Sequence, residues 1–358
     1  MNNLRNDEVK LEAVRLDSEG FNQAQIGEAL GTPRTSIGDF LRKETYSSWW
    51  AEFDNECGSP SDTTPTLQLR NKASVLHYVE PVKIATRKNA PDNCTHLMIP
   101  DLQVKPDIDT DYLRWVGDYI ADKKPDVLIN IGDHFDLPSL SSYDKGTKKA
   151  EGKRLSGDIA AGIRGMNLLL QPIADIQAKE LEEYGEIKYK PKMVFTIGNH
   201  EFRLDRHINA NPELHGLISY ADFKLEENGW EVYDFLEPAM VHGITYIHYQ
   251  PNPMSGKPYG GTALNILSKV GESFCVGHAQ KLDVATRFLP TSGKQQWGIV
   301  AGACYDHFEN YKGYCGNKHW RGLVVMHQVS DGSFNPMFVD LEYLKNRYNR
   351  KKDTNKIS

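Results

Sequence analysis

The chain has 358 residues, of which 39% are apolar and 25% charged, as in an ordinary globular protein with room for a buried core and a small extra domain. A formal net charge of −6 excludes a strongly basic protein, so contact with nucleic acid must depend on a local basic patch or on metal ions. No apolar run is long enough for a membrane helix or a secretory signal, and the five scattered cysteines fit a reducing compartment, so we expect a cytoplasmic protein with no membrane partner.

Residues 1–44 predict a small bundle of short helices. Gly31 is typical of a position just past a helix end, Thr32 is a suitable cap for the next helix, and Pro33 suits the first position of that helix. The segment 21–37 resembles the helix-turn-helix of resolvase-like DNA-binding domains.

This resemblance implies that the third helix lies in the major groove of DNA and that four of its residues contact bases or phosphates. They are Arg34, Thr35, Ser36 and Arg42. DNA is therefore the expected partner. Such domains often work as dimers, which makes a homodimer compatible with the pattern. The alternative is a three-helix bundle that binds protein, because the segment also carries acidic residues.

The remainder of the chain divides into three parts. Residues 45–94 include a small-residue stretch broken by prolines, which predicts a linker and docking segment. Residues 95–341 alternate apolar strands with helices, which predicts an α/β domain. Residues 342–358 form a basic tail, and we expect it to fray from Lys345 onward.

Five apolar runs of strand length are each followed at once by side chains that bind metal ions. The runs cover residues 96–100, 127–131, 193–197, 244–247 and 274–276. The side chains that follow them are Asp101, Gln103, Asp133, Asp136, Asn199, His200, His248, His278 and Gln280. Ligands of open α/β sheets bind beyond the carboxyl ends of the strands. Five neighbouring strands would therefore direct these side chains to one point.

The donor types suit the hydrolysis of phosphate esters. Two divalent cations about 3.5–4 Å apart neutralise the phosphate and lower the pKa of a bound water. A carboxylate that contacts both ions is needed to hold them, together with nitrogen and oxygen donors on either side. Asp133 is the natural bridging carboxylate.

The five segments resemble the motifs of the calcineurin-like metallophosphoesterase superfamily. Those motifs run Asp-x-His, Gly-Asp-x-x-Asp, Gly-Asn-His-Glu or Asp, a later His, and Gly-His-x-His. The corresponding segments stand here in that order, over about residues 95–340, as Asp101-Leu102-Gln103, Gly132–Asp136, Gly198–Glu201, His248 and Gly277–Gln280. The resemblance implies an α/β fold, specifically a four-layer αββα sandwich, and a hydrolase with two metal ions.

The resemblance also implies a role for each residue. One metal ion would be held by Asp101, Gln103, Asp133 and Gln280. The other would be held by Asp133, Asn199, His248 and His278. His200 would act as the general acid or stabilise the transition state, and Asp136 would orient its ring. Arg203 is a candidate contact for the phosphate.

Two positions depart from the superfamily pattern. Gln103 stands where the superfamily usually has His, and Gln280 replaces the last His of Gly-His-x-His. Both changes replace an imidazole by an amide oxygen, which is a harder and weaker donor, at the same metal ion. We therefore expect two divalent ions, Mn²⁺ or Mg²⁺ rather than Zn²⁺, with the first one bound loosely.

Each of these side chains also has an ordinary structural explanation when it is taken alone. An Asp after a strand is often a helix cap, and a single buried His is more often hydrogen-bonded in the core than a metal ligand. His242 is the main rival of His248, although it precedes its strand.

Two further groups of residues carry weaker signals. The loop after Asp136 is basic, and its Lys148 and Lys149 are candidate contacts for a polyanionic substrate; the alternative is a solvated loop. The second group has zinc-site spacing, but the aromatic residues around it favour a packed aromatic loop over a structural zinc site. It consists of Cys304, His307, Cys315 and His319.

Together these patterns predict a two-metal phosphodiesterase that acts on DNA, a nuclease tethered to duplex by its N-terminal domain. The arrangement suits a bacteriophage protein, which would act in the host cytoplasm. One alternative is a phosphatase or cyclic-nucleotide phosphodiesterase that acts on a small molecule or phosphoprotein. Another is a DNA-binding regulator whose phosphoesterase fold is catalytically inactive.

Overall fold

The structure is a computed structural model, and it describes Ala13 and residues 23–33, 79–143, 146–309 and 313–349. The chain divides into two compact units between Tyr78 and Val79. All four predicted DNA contacts, Arg34, Thr35, Ser36 and Arg42, lie outside the described residues.

In the first unit, the described residues include the helix α1 over Gln23–Ala29, and Ala13 is also helical. Ile26 is fully buried, as expected for the inward face of a small bundle. Gly31 has a positive φ of 59°, and the backbone N–H of Thr32 donates to the carbonyl of Gly27 at 2.8 Å. The helix therefore ends shortly before the predicted glycine, which adopts this left-handed conformation without strain.

The second unit is a mixed α/β fold with two mixed sheets. In chain order its strands are β1 Cys94–Ile99, β2 Val127–Asn130, β3 Lys192–Thr196, β4 Glu231–Tyr233, β5 Ala239–Val241, β6 Ile244–Tyr246, β7 Phe274–Val276, β8 Asp283–Leu289, β9 Lys294–Val300, β10 Gly322–Ser330 and β11 Ser333–Asp340. Its helices are α2 Asp111–Lys123, α3 Leu155–Tyr184, α4 Arg203–Ala210, α5 Leu225–Asn228, α6 Ala263–Val270, α7 Gly313–Gly316 and α8 Leu341–Tyr348.

The first sheet has the order β11-β10-β1-β2-β3-β4, and the second has the order β5-β6-β7-β9-β8. Strands β1 to β4 are parallel neighbours, and β6, β7 and β9 form a second parallel group. Side chains from both sheets belong to one hydrophobic cluster, which includes Met98 and Ile129 from the first sheet and Tyr246 and Cys275 from the second. The core of the unit therefore lies between the two sheets.

Helices α2 and α3 approach each other closely at a glycine. A Cβ atom on Gly117 would lie 2.3 Å from the carbonyl oxygen of Leu169 and 3.1 Å from the side chain of Pro172. Any larger residue would force the helices apart. Pro172 lies inside α3, which continues past it to Tyr184.

Residues 79–93 belong to the larger unit, although the linker was expected to reach residue 94. The backbone N–H of Val82 donates to Asn167 at 2.8 Å, and that of Ala85 donates to Gln177 at 2.9 Å. Ile84 is buried. The segment is fixed by side chains of α3 rather than by a sheet, so it has no periodic pattern in the sequence.

The basic tail also begins with ordered structure, which corrects the expectation of fraying from Lys345. The Asp340 side chain accepts the N–H of Glu342 and caps α8, whose Leu341 and Leu344 are buried. The cap and the apolar contacts stabilise a helix that runs to Tyr348. Across the described ranges, every helix is too short or too polar to cross a membrane.

Candidate metal centre

The carboxyl ends of the parallel strands of both sheets meet at one site. Asp101, Asp133 and Asn199 follow the neighbouring strands β1, β2 and β3 of the first sheet. His248 and His278 follow the neighbouring strands β6 and β7 of the second sheet. Because the two sheets pack on one core, the side chains that follow the strands of one sheet face those that follow the strands of the other.

Glycines allow the loops after these strands to approach within contact distance. A Cβ atom on Gly132 would lie 2.5 Å from the backbone nitrogen of Gly198, and one on Gly198 would lie 2.3 Å from that of Asp133. A Cβ atom on Gly277 would lie 2.5 Å from Oδ1 of Asp101. These glycines of the motifs therefore set how closely the site residues can gather.

Glu201 connects the second and third motifs, and the sequence interpretation had given it no role. Its fully buried carboxylate accepts three backbone N–H groups: that of Asp133 at 2.9 Å, that of Phe135 at 2.7 Å and that of Gly198 at 3.0 Å. These bonds fix the backbone on which Asp133 stands. Its place beside Asn199 and His200 in the motif was the available signal.

Three donor atoms from Asp133, His248 and His278 lie within 4.8 Å of one another. Oδ1 of Asn199 lies among them, 2.9 Å from Nε2 of His248 and 2.6 Å from Nδ1 of His278. The Nδ1 atom of His248 lies 2.8 Å from the carbonyl oxygen of Ile131, to which it donates. This bond leaves Nε2 with a free electron pair in the neutral ring, as a metal ligand requires.

The donors expected at the first metal ion lie next to this group. Asp101 is fully buried, and its Oδ1 accepts the backbone N–H of His278 at 3.1 Å. Its Oδ2 is also buried, with no hydrogen-bond partner among the described residues, and the same holds for Nε2 of Gln103. An unpartnered buried carboxylate oxygen is costly, and a cation is the partner that would satisfy it. The residues present therefore fit a divalent ion.

Gln280 is half-buried, and its Oε1 accepts a hydrogen bond from the Tyr305 hydroxyl at 3.0 Å. This bond holds the amide in one orientation. Gln103, Asp133, His278 and Gln280 all have positive φ angles, between 46° and 63°. Non-glycine residues in this conformation are uncommon and concentrate at functional sites.

The charges at the centre are unevenly distributed. Burial and the nearby Asp133 carboxylate raise the pKa of Asp101. At Asp133 burial acts in the same direction, but His200 and His248 oppose it and the pKa of this carboxyl is lowered. Burial lowers the pKa of His248, but the Asp133 and Asp101 carboxylates and the hydrogen bond to the carbonyl of Ile131 together raise it to about 9. Two buried carboxylates thus compete for the same positive charge, and a divalent cation would relieve their repulsion.

His200 and Asp136 form a hydrogen-bonded pair at the rim of this group. Nδ1 of His200 lies 2.6 Å from Oδ1 of Asp136, while its Nε2 lies 3.7 Å from Oδ2 of Asp133. Nζ of Lys105 lies 3.2 Å from the other Asp136 oxygen, a contact that the sequence interpretation missed. Burial disfavours a charged His200, but Asp133 and Asp136 raise its pKa.

The candidate phosphate contacts occupy different positions. Arg203 is the first residue of α4, and its guanidinium lies 3.1 Å from Nε2 of His200 and 2.5 Å from the carbonyl oxygen of Asp136. Lys148 is exposed on a short 3₁₀ turn. The side chain of Lys149 lies outside the described residues.

The group with zinc-site spacing is part of an aromatic loop. Tyr305 stacks on His307 with ring centroids 4.4 Å apart, and the Arg321 guanidinium lies 4.7 Å from the Tyr305 centroid. Cys304 is buried, whereas Cys315 is exposed. Within the described residues, two groups of His, Cys, Asp and Glu side chains lie close enough together to hold a metal ion, and this group is not one of them. The ring contacts of Tyr305 are those of a packed aromatic loop.

The sequence matches no protein-family model. It is 27% identical over 214 residues to the Gene 54 protein of Mycobacterium phage L5, a match that covers 58% of this chain and 77% of that protein. It is 25% identical over 216 residues to the Gene 54 protein of Mycobacterium phage D29, with the same coverage of 58% and 77%. The chain is therefore similar to two bacteriophage proteins.

Proposed function

We propose that the protein is a two-metal phosphodiesterase of the calcineurin-like metallophosphoesterase type and that it acts on DNA. The observation that carries this proposal is the gathering of Asp133, His248 and His278 within 4.8 Å, with Asn199 between the two histidines. These residues follow four strands of two sheets, as the phosphoesterase motifs require.

Asp133 would be the shared ligand of two divalent cations. Asp101, Gln103 and Gln280 would complete one ligand set, and Asn199, His248 and His278 would complete the other. When bound, the cations would neutralise charge on the phosphate and lower the pKa of a bound water. The amide oxygens favour Mn²⁺ or Mg²⁺ at the first position, because hard oxygen donors select these ions over Zn²⁺.

His200 would hold the proton that the leaving oxygen needs. Its Nδ1 faces Asp136, so Nε2, which lies 3.1 Å from the Arg203 guanidinium, is the ring nitrogen that would face the substrate. Asp136 orients the ring and stabilises its protonated form, in the way that an acidic partner supports a catalytic histidine. Lys105 and Arg203 hold Asp136 in place. Arg203 lies close enough to His200 to contact the same phosphate.

We infer that the larger unit is a four-layer αββα sandwich. One hydrophobic cluster lies between the sheets, and a second joins α6 to side chains of β7, including Phe274 and Val276. Leu97 and Ile99 alternate along β1 with Met98, which belongs to the inter-sheet cluster, and all three are fully buried. A strand buried on both faces supports a layer on each side of its sheet.

The N-terminal sequence supports DNA as the substrate. Helix α1 ends shortly before Gly31, as expected for the second helix of a helix-turn-helix. Such a module would raise the local concentration of the phosphodiesterase on duplex DNA. The similarity to bacteriophage proteins favours the host cytoplasm as the place of action.

The proposal is tested by incubating the protein with plasmid, linear duplex, single-stranded DNA and bis-p-nitrophenyl phosphate, each with Mn²⁺, Mg²⁺ or EDTA. We expect cleavage of DNA with Mn²⁺, loss of cleavage in EDTA and in His200→Ala, and normal cleavage in the surface control His215→Ala. Arg34→Ala with Arg42→Ala should weaken DNA cleavage and leave hydrolysis of the small diester unchanged.

Two outcomes would contradict the proposal. Hydrolysis of the small diester without cleavage of any DNA would favour a phosphodiesterase or phosphatase for small molecules. Binding of DNA without hydrolysis under every metal condition would indicate an inactive regulator.

A further inference from the structure

A second group of metal-binding side chains lies at the other end of β1 from Asp101. Cys94 and His96 are two residues apart on this strand, so they project toward the same face. His242 lies in the turn between β5 and β6 of the second sheet. The donor atoms of these three residues lie within 4.8 Å of one another. Seven residues of extended chain separate Cys94 from Asp101, which is about 20 Å.

The ring nitrogens of the two histidines have the partners that metal ligands need. Nε2 of His242 lies 3.2 Å from the carbonyl oxygen of Ala90, which can only accept, so Nε2 carries a proton and Nδ1 faces the group. Nδ1 of His96 lies 2.7 Å from the Tyr246 hydroxyl, which itself donates to Met326. With its proton on Nδ1, directed at this hydroxyl, His96 has Nε2 facing the group. Histidines that bind metals usually donate their other N–H in this way.

The inner atoms of the group lie close together. Nε2 of His96 lies 2.9 Å from Nδ1 of His242, and Sγ of Cys94 lies 3.5 Å from the same nitrogen. Two electron pairs at this separation repel each other unless a proton or a cation lies between them. A cation would take the place of that proton and bind all three ligand atoms.

The turn that carries His242 is held in a defined place. His242 and Gly243 have φ angles of 48° and 76°, as in the two-residue type I′ turn of a hairpin. A Cβ atom on Gly243 would lie 2.5 Å from the backbone nitrogen of Gly332, whose N–H donates to the carbonyl of His242 at 2.8 Å. The imidazole is therefore presented to β1 by a turn that is fixed against the turn after β10.

We propose that Cys94, His96 and His242 bind one Zn²⁺ ion that is separate from the phosphodiesterase centre and joins the two sheets. One thiolate and two imidazoles are a donor set that selects Zn²⁺ over Mn²⁺ or Mg²⁺. Cys94 and His96 are buried, while His242 is half-buried and leaves a path for the ion and for a water as fourth ligand.

The test uses Co²⁺ in place of zinc, because a thiolate bound to Co²⁺ gives a charge-transfer absorption that oxygen and nitrogen ligands do not give. The proposed phosphodiesterase ligands include no cysteine, so the absorption reports on the new site alone. We expect the full-length protein to show this absorption at about one Co²⁺ per chain. The absorption should be lost in Cys94→Ser and His242→Ala and kept in Cys315→Ser and Asp133→Asn.

Added Zn²⁺ should remove the absorption, and Mn²⁺ should not. A wild-type protein without the absorption at excess Co²⁺ would overturn the proposal, and this result does not depend on whether any variant folds. An absorption that persists in folded Cys94→Ser would also overturn it, since the thiolate would then come from another cysteine.

Discussion

The Nδ1 atom of His200 lies 2.6 Å from Oδ1 of Asp136, and this contact fixes which ring nitrogen of His200 faces the metal ligands. A carboxylate in this position favours the tautomer with the proton on Nδ1 and stabilises the ring when it gains a second proton. The pair therefore has the geometry of a proton donor whose working atom is Nε2.

Asp136→Asn should reduce kcat for bis-p-nitrophenyl phosphate by about 10² to 10⁴, the usual contribution of a positioned general acid. The amide keeps the shape of the side chain but removes the charge that supports a protonated His200. Binding of Mn²⁺, measured by calorimetry, should change little. Equal loss of metal binding and activity would mean that Asp136 is a ligand rather than a positioning residue.

His248→Ala should remove one bound Mn²⁺ per chain. Its Nε2 lies 3.4 Å from Oδ1 of Asp133 and 2.9 Å from Oδ1 of Asn199, so the variant deletes the donor that stands between them. Metal content after gel filtration in Mn²⁺ gives the measurement. The exposed His215 offers the control His215→Ala, which should bind like wild type. Unchanged Mn²⁺ content in His248→Ala would contradict its assignment.

Glu201→Gln should lower the free energy of unfolding by roughly 1–3 kcal/mol, the range for a buried polar group left without its hydrogen-bond partner. The Glu201 carboxylate accepts N–H groups from Asp133, Phe135 and Gly198. In the glutamine variant an NH₂ group replaces one of the accepting oxygens and faces a backbone N–H. Urea unfolding in EDTA measures the change without a contribution from metal binding. A loss under about 0.5 kcal/mol would show that the loops hold their shape without this carboxylate.

Much of the fold follows from short patterns in the sequence, and the exceptions have one cause. The apolar runs that end before Asp101, Asp133 and Asn199 are neighbouring strands of the first sheet. Such runs could be predicted because their apolar composition, their length and their order are visible along the sequence. The contacts of Glu201 and Lys105 were missed because each joins a side chain to residues far along the chain. Such contacts leave no period in the sequence.

His242 is a case in which the sequence already carried a signal. It was the main rival of His248 but precedes its strand instead of following it, and the structure places it beside Cys94 and His96. His248 is the one that lies beside Asp133 and Asn199.

Acid should destabilise the protein through His134. Burial lowers its pKa from 6.5 to about 4, although a hydrogen bond to the carbonyl of Gly162 raises it in part. Nδ1 is buried without a partner in the described part of the chain, so a proton added there would be unsatisfied. The folded pKa lies below the unfolded value, so stability is full above about pH 6.5 and falls as the pH drops toward 4.

Between pH 7 and pH 5 this histidine alone should remove about 2 kcal/mol from the free energy of unfolding. His134→Gln keeps a donor for Gly162 and cannot titrate, so it should lose about 2 kcal/mol less than wild type over the same interval. Urea titrations of both proteins in EDTA give the difference, in which the other titrating groups cancel. Equal losses in the two proteins would contradict a buried neutral His134.

The most direct measurement of the central claim is anomalous diffraction at the manganese edge from crystals of the protein grown with Mn²⁺. We predict two peaks that share the Asp133 carboxylate, one beside Asp101 and the other beside His248 and His278. No peak at this position, or a single peak that Asp133 does not contact, would contradict a two-metal centre in this protein.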